Sequence, residues 1–464
     1  MAWVPVTGTE AAKVLAFVKA NERVPEGYNV KYDRDPVVQK LDTVTGFDFR
    51  DPEAEAAFRY VPEGSVTRAA LDASVAAALA ASRLLAAGDP VYRKAASNAV
   101  MASPPTITQG TTATISGQVI DLRSTTKVRW VSGVTTSAPD GNWIISRGPR
   151  KADGSFDLAT PEYYQSFEFM ADCAAFELRI LAFTTKVVVL VDGERHAATQ
   201  TETDNSGASR YVKVDFGGRR SDGMARRIQV TLTSGYLRSL AVGATDSVYP
   251  VADATAPLLA ILGDSYGTAY ASRAMTSVYD GYPQQLARLL GFRVNTQNCA
   301  GGTGYVATSA GGGAYGGYLT RVSDVVSLNP DMVLVQGSIN DYVATPSALE
   351  ATARNVLETL RAGLPKAVIV ATGVLDASPT SQQGGDAVRS AAIASAAASA
   401  GVLYLDTAGW VTGTGKAGAT TGDGNADVYT YSDGSHPTVA GGYYLAARLA
   451  GELRNRVMAL ASVL

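Results

Sequence analysis

The sequence predicts a multidomain protein: an N-terminal, partly helical segment (residues 1–104), a β-sandwich of jelly-roll-like type (105–252), and a three-layer α/β/α domain (253–464). Three observations predict it. A chain of 464 residues, 46% of them hydrophobic, exceeds what one core usually organises. Near residue 105 apolar residues begin to recur at every second position, and after Ala256 short apolar runs alternate with helical periods.

Residues 1–64 mix charges with Pro, Gly and isolated apolar residues, so no regular structure is expected there. Residues 65–87 read as a helix. Ser65 or Thr67 offers its start, Leu71, Val75 and Leu79 fall on one face, and Gly88 with Pro90 ends it. A narrow apolar seam among small residues packs on its own chain. The other reading is a self-associating helix that forms a homo-oligomer, a trimer, or docks the protein onto a larger body.

In the second region the segments Ala113 to Leu122, Lys127 to Val131, Phe167 to Met170, Phe176 to Phe183, Lys186 to Val191, Tyr211 to Phe216, Ile228 to Leu232 and Tyr236 to Val242 read as strands. They are short, rich in β-branched and aromatic residues, and separated by Gly, Asp, Asn and Ser. Strands so spaced indicate two packed antiparallel sheets. Trp130, Trp143 and the pair Tyr163-Tyr164 carry rings that stack on pyranoses, although such residues fill cores more often.

In the third region strands are expected at Leu258 to Leu262, Phe292 to Gln297, Met332 to Val335, Ala367 to Ala371 and Val402 to Leu405. Helices are expected at Tyr282 to Leu290, Ser347 to Ala362, Asp386 to Ala400 and Val439 to Val457. Alternation of this kind gives a doubly wound layer with a mostly parallel sheet, whose functional residues lie at the carboxyl ends of its strands.

Composition excludes several classes. A formal charge of −3 supplies no basic stripe, so nucleic acid is not an expected partner. Met1 to Thr7 lacks a basic stretch followed by an apolar one, and the most aliphatic run, Ala69 to Ala87, contains Asp72 and Arg83. Neither a signal peptide nor a membrane span is expected. Cys173 and Cys299 are too few for a disulfide framework or a cysteine-rich metal site, and they fit synthesis in a reducing cytoplasm.

Three polar clusters fall at strand ends and together hold the parts that acyl transfer needs. Gly263-Asp264-Ser265-Tyr266-Gly267 puts a serine on a sharp turn, where its own N–H can face a developing oxyanion. Gln336-Gly337-Ser338-Ile339-Asn340-Asp341 offers the Asn340 side chain to the same oxyanion, or as a helix cap. In Ser432-Asp433-Gly434-Ser435-His436-Pro437, Gly434 lets the Asp433 carboxylate reach one imidazole nitrogen while the other faces the serine. The chain has two histidines, and His196 is expected at a surface strand or turn. A histidine that activates the serine is therefore His436.

Gly-Asp-Ser, a glycine block, an Asn-Asp block and a terminal Asp-x-x-His, in that order, resemble the SGNH (GDSL) hydrolase family over roughly residues 257–460. The resemblance implies a flavodoxin-like α/β/α fold with Ser265 as nucleophile, Asp433 and His436 as its partners, and Asn340 as a side-chain oxyanion donor. It implies a further backbone donor from the block Asn298 to Gly304, here taken as Gly302 with Gly301 and Gly304 as alternatives. The third block departs from the family's Gly-x-Asn-Asp, because two residues separate Gly337 from Asn340.

Gly263 to Gly267 also matches the nucleophile elbow of α/β-hydrolases, but Ser265 follows the first strand of its domain and Asp433 lies close to His436 in sequence. Gly302-Thr303-Gly304 resembles a degenerate dinucleotide fingerprint without the helix that should follow. Asp423, Asn425 and Asp427 imitate half a calcium loop, with Val428 and Gly434 where its glycine and glutamate belong. No cofactor and no metal are assigned. The expected activity is removal of a short acyl group, acetyl above all, from a carbohydrate. The alternatives are a lipase or thioesterase, and a phage tail structural or receptor-binding protein attached to the virion through residues 1–104 and acting at a bacterial surface.

Overall fold

Packing divides the chain after Thr67. The computed structural model describes residues 3–6, 28–31, 37–41 and 80–461, apart from 97–98, 133, 138–140, 159–163, 234, 252–255, 269–276, 310–314, 338 and 377–378. In the unit Met1–Thr67, strands Trp3–Val6, Val37–Leu41 and Tyr28–Lys31 pair in that order into an antiparallel sheet. This corrects the expectation of irregular chain. Strands of four or five residues are too short to show a period, and pairing rather than pattern stabilises them.

The unit Arg68–Leu464 contains everything else. The helix expected over residues 65–87 is present at 80–86, while Ser65, Thr67, Leu71, Val75 and Leu79 lie outside the described residues. Gly88 ends it. Pro90 then opens a second helix, Pro90–Ala95, because the Asp89 carboxylate accepts the Val91 N–H at 2.8 Å and a proline suits a first turn.

Two antiparallel sheets follow. One has the order Glu194–Arg195, Lys186–Val191, Arg226–Thr233, Tyr164–Asp172, Ser247–Tyr249. The other runs Thr106–Gly110, Ser209–Asp215, Ala175–Leu181, Tyr236–Val242, Ile144–Arg150, Val134–Ser137. Alternation along the strands sends Phe167, Phe169 and Val189 of the first and Phe176, Leu178 and Val212 of the second into one shared core. Of the expected segments, Ala113 to Leu122 shrinks to the strand Gln118–Asp121. The strand Ile144–Arg150 was not expected, since Gly148 and Pro149 interrupt its alternation.

The expected sugar-stacking aromatics are taken up by packing. Trp143 and Tyr164 are buried, Trp130 lies 5.5 Å from the Phe167 ring, and Tyr163 lies outside the described residues. His196 is buried as well, contrary to expectation. Its backbone N–H donates to the Val189 carbonyl at 2.9 Å and its Nδ1 lies 3.1 Å from the Val189 N, so the ring folds over the hairpin it ends. Burial, the largest influence, pushes its pKa down.

The last region holds five parallel strands: β1 (Leu258–Gly263), β2 (Arg293–Cys299), β3 (Met332–Gly337), β4 (Val368–Val374) and β5 (Leu403–Leu405), in the order β2-β1-β3-β4-β5. Helices α1 (Tyr282–Leu290), α2 (Val322–Ser327), α3 (Pro346–Gly363), α4 (Pro379–Ser399) and α5 (Val439–Ala461) connect and cover them. The chain crosses from β1 back to β2 and then forward to β3, and α1 packs with α5 while α3 packs with α2 and α4; the right-handed rule for such crossovers sets these two groups on opposite faces. Strands buried on both sides read as apolar runs, as Leu259 to Leu262 and Val333 to Val335 do. The order reverses between β1 and β3, and the crevice outside their carboxyl ends is where such folds bind ligands.

The outward face of the first antiparallel sheet packs on this layer. Gln284 of α1 donates to the Tyr164 hydroxyl at 2.8 Å, and the Tyr279 hydroxyl bonds Thr231 and accepts from Gln229 at 3.2 Å. The buried Glu168 pairs with Arg129 and Arg227, and Arg227 reaches Asp89 at 2.9 Å. Glu168→Ala takes a buried carboxylate from Arg129 and leaves Arg227 with Asp89, and loss of one partner of a buried ion network costs about 3–5 kcal/mol. Urea unfolding should register that loss, and an unchanged midpoint and slope would show that the network contributes nothing.

Candidate active site

At the end of β1 the chain turns into a 3₁₀ segment, Ser265–Gly267, capped by Asp264, whose carboxylate accepts the Tyr266 N–H at 2.9 Å. The two flanking glycines let neighbouring side chains close in on the turn. A Cβ on Gly263 would lie 2.8 Å from Gln336 Oε1, and one on Gly267 would lie 2.2 Å from the Cys299 sulfur. Ser265 is thereby held at the sheet edge.

His436 comes to it from a loop 171 residues away in sequence, with Nε2 2.9 Å from Ser265 Oγ. The other ring nitrogen, Nδ1, lies 2.7 Å from Asp433 Oδ2, while Asp433 Oδ1 accepts the backbone N–H groups of Ser435 at 2.9 Å and His436 at 3.0 Å. Gly434, at φ +75°, supplies the left-handed residue that this reach-back needs. A carboxylate only accepts, so Nδ1 carries the proton and Nε2 is left to accept from the serine hydroxyl. Tyr266 donates to the Ser435 carbonyl, and the Tyr431 N–H donates to the His436 carbonyl at 2.7 Å, which fixes the loop over the serine. Partial burial, the largest influence on Asp433, raises its pKa. The N–H groups of His436 and Ser435 and the ring outweigh that effect and hold it below its ordinary value.

The glycine block approaches from β2. A Cβ on Gly301 would stand 3.6 Å from the Ser265 Cβ, and Gly302 has φ +73°, a backbone conformation that a side chain would strain. Gly304 is engaged elsewhere, since its N–H donates to the Ala307 carbonyl at 3.0 Å. Asn340 enters from the 3₁₀ turn Ile339–Val343 after β3. Its amide nitrogen donates to the Thr303 carbonyl at 3.0 Å and to Asp264 Oδ2 at 3.3 Å. Ser338, the departure in this block, lies outside the described residues.

Three polar residues at the site were not expected to be there as functional groups. Asp264, fully buried, also accepts from Gln336 Nε2 at 2.6 Å, and Gln336 Oε1 accepts the Tyr282 hydroxyl at 2.8 Å. Asp341 accepts the N–H groups of Tyr305, Val306 and Ala307 at 2.8–2.9 Å, and so ties the chain after the glycine block to the turn carrying Asn340. Burial pushes its pKa up against those three donors. The signal was in the sequence as the acid of Asn340-Asp341 and the polar end of an apolar strand, but neither spacing nor residue type announces a buried anchor. By contrast Asp423 and Asp427 serve their own loop, accepting from the backbone of Thr414 at 2.8 Å and of Thr421 and Gly422 at 2.9 and 2.8 Å.

Comparison with known proteins bears on the same stretch. Residues 261–442 match the GDSL-like Lipase/Acylhydrolase family, and no curated protein matches the chain closely enough to be significant. In fold the chain resembles a family two carbohydrate esterase from Cellvibrio japonicus, with 15% identity, a TM-score of 0.50, and coverage of 76% of this chain and 99% of that one. It also resembles a salicylyl-acyltransferase from a tetracycline biosynthetic pathway, with 14% identity, a TM-score of 0.53, and coverage of 73% and 97%. Among the described residues no helix is long and apolar enough to cross a membrane. The region 261–442 is a GDSL/SGNH-like esterase domain, and the protein that carries it is an ester hydrolase.

Proposed function

We propose that the protein removes short acyl groups, acetyl in particular, from a carbohydrate by a serine mechanism. The observation that carries this reading is the hydrogen-bonded series from Ser265 Oγ to His436 Nε2 at 2.9 Å and from His436 Nδ1 to Asp433 at 2.7 Å. His436 takes the serine proton as Oγ attacks the acyl carbonyl, and returns it to the leaving alkoxide. Asp433 fixes the imidazole tautomer and stabilises the imidazolium. Water activated by His436 then releases the acyl-enzyme.

The tetrahedral oxyanion is held by the N–H groups of Ser265 and Gly302 and by the Asn340 amide. Of the two contacts that amide makes, the one to Asp264 is the longer, and it is the one a developing oxyanion would replace. The carbohydrate assignment has separate support. The fold likeness to a carbohydrate esterase spans more of the chain than the α/β layer alone, so it takes in the antiparallel sheets, which we read as a β-sandwich domain.

Ser265→Ala and His436→Ala should each reduce hydrolysis of a chromogenic acetate ester by at least about a thousandfold. Wild-type rates in both variants would end this assignment. Across esters from acetate to octanoate the rate should fall, whereas a marked rise toward octanoate would favour a lipase or thioesterase.

A third expectation concerns pH. A carboxyl whose folded pKa is depressed adds stability that is present above its ordinary value of 3.8 and is lost as pH falls through the folded value. The stability gap between wild type and Asp433→Asn should therefore be full near neutrality and close in acid. Urea unfolding at a series of pH values reads it directly, and a gap that does not change with pH contradicts the pairing.

A further inference from the structure

Behind the glycine block lies a charged side chain that this mechanism does not use. Arg321 is fully buried, and its Nη2 donates to Thr303 Oγ1 at 2.8 Å. That hydroxyl in turn donates to the Ala300 carbonyl at 2.7 Å, closing a turn whose two middle residues are Gly301 and Gly302. The Thr303 carbonyl is held from the other side by Asn340 at 3.0 Å.

The donor's identity matters to the geometry. A hydroxyl is a free rotor that can give its proton to any acceptor in reach. A guanidinium has donors only, so it occupies the oxygen's lone pair and obliges the proton to point at Ala300. Lysine offers the same charge without the planar fork, and an apolar residue offers neither. The guanidinium lies 5.3 Å from the Tyr318 ring, and its charge pulls the Cys299 thiol down against the dominant effect of burial. Its field therefore reaches the end of β2, where the block begins.

We propose that Arg321 and Thr303 are positioning residues for the oxyanion turn: the guanidinium, acting through the Thr303 hydroxyl, holds the Gly302 N–H on the acyl oxygen and sets a fixed positive charge behind it. This rests on the serine mechanism above. Neither residue touches substrate. Their effect is felt only as negative charge develops on the acyl oxygen, so it belongs to turnover rather than to ground-state binding.

The test uses the full chain with Thr303→Val, Thr303→Ser, Arg321→Lys and Ser265→Ala, assayed on an acetate ester, with competent sites counted by stoichiometric phosphonylation of the serine. Thr303→Val, equal in shape but without the hydroxyl, should lower kcat per competent site about 10- to 100-fold, the scale expected for a misplaced catalytic group. KM should stay within about twofold, since uniform binding is untouched. Thr303→Ser should recover most of the rate, and Arg321→Lys should fall between. A Thr303→Val enzyme with the wild-type kcat per competent site, or one whose loss is accounted for by fewer competent sites, overturns the inference. Activity persisting in Ser265→Ala would instead remove the serine reading on which it stands.

Discussion

The Asp264 carboxylate is the point at which the loops of the site meet. It is fully buried and receives the Tyr266 N–H, the Gln336 amide and the Asn340 amide, one donor from the serine turn, one from the end of β3 and one from the turn beyond it. An unpaired carboxylate in such a place would cost several kcal/mol, so the three loops are constrained to bring their donors to it. Remove that constraint and the serine turn and the asparagine turn lose their common reference. The same device recurs nearby, where Asp341 collects three backbone N–H groups and thereby joins the chain after β2 to the turn after β3.

Buried charge also organises the antiparallel sheets, and one pair joins them to the α/β layer. Glu168, on the face of its strand opposite Phe167 and Phe169, is compensated by Arg129 and by Arg227, which in turn reaches Asp89 ahead of the helix Pro90–Ala95. Arg195 and Asp280, 3.6 Å apart and both buried, join the hairpin beyond Lys186–Val191 to the segment before α1. Directional contacts of this sort favour one orientation of two layers, where apolar contact alone would tolerate several. The cleft at the β1 and β3 ends is thus presented by a scaffold larger than the esterase domain itself.

The α/β layer was legible because its strands are buried on both sides and read as plain apolar runs, while amphipathic helices such as Tyr282–Leu290 begin and end on punctuating residues. Ser265, Asp433 and His436, which hydrogen bonds join in the structure, were legible for a different reason, namely scarcity. With two histidines in the chain and one of them three residues from an aspartate, few arrangements remained. What stayed hidden was tertiary. His196 looks polar and exposed in sequence, yet its ring closes a hairpin from the inside, and Trp143 and Tyr164 look like a binding face but are consumed by packing. Asp264, Asp341 and Arg321 carry charges that patterning assigns to the surface. Burial of the two carboxylates depends on donors, and burial of the guanidinium on an acceptor, that only the three-dimensional fold brings to them.

The site is asymmetric in a way that fits acyl transfer. On one side Asp433 keeps 38% of its side-chain surface exposed and His436 keeps 16%, so the arm that would carry the proton on the proposed mechanism stays near solvent, where water must enter. On the other side Asp264, Thr303, Arg321 and Asp341 are almost wholly buried, so the hydrogen bonds they make are shielded from solvent. Preorganised dipoles are effective because they cost no rearrangement when charge appears, and a dry surrounding strengthens them. A proton relay needs the opposite, since its groups must change charge within each cycle and be restored. On the proposed mechanism the chain meets both demands by building the relay on a glycine-containing loop at the surface and the cradle on the ends of three adjacent parallel strands.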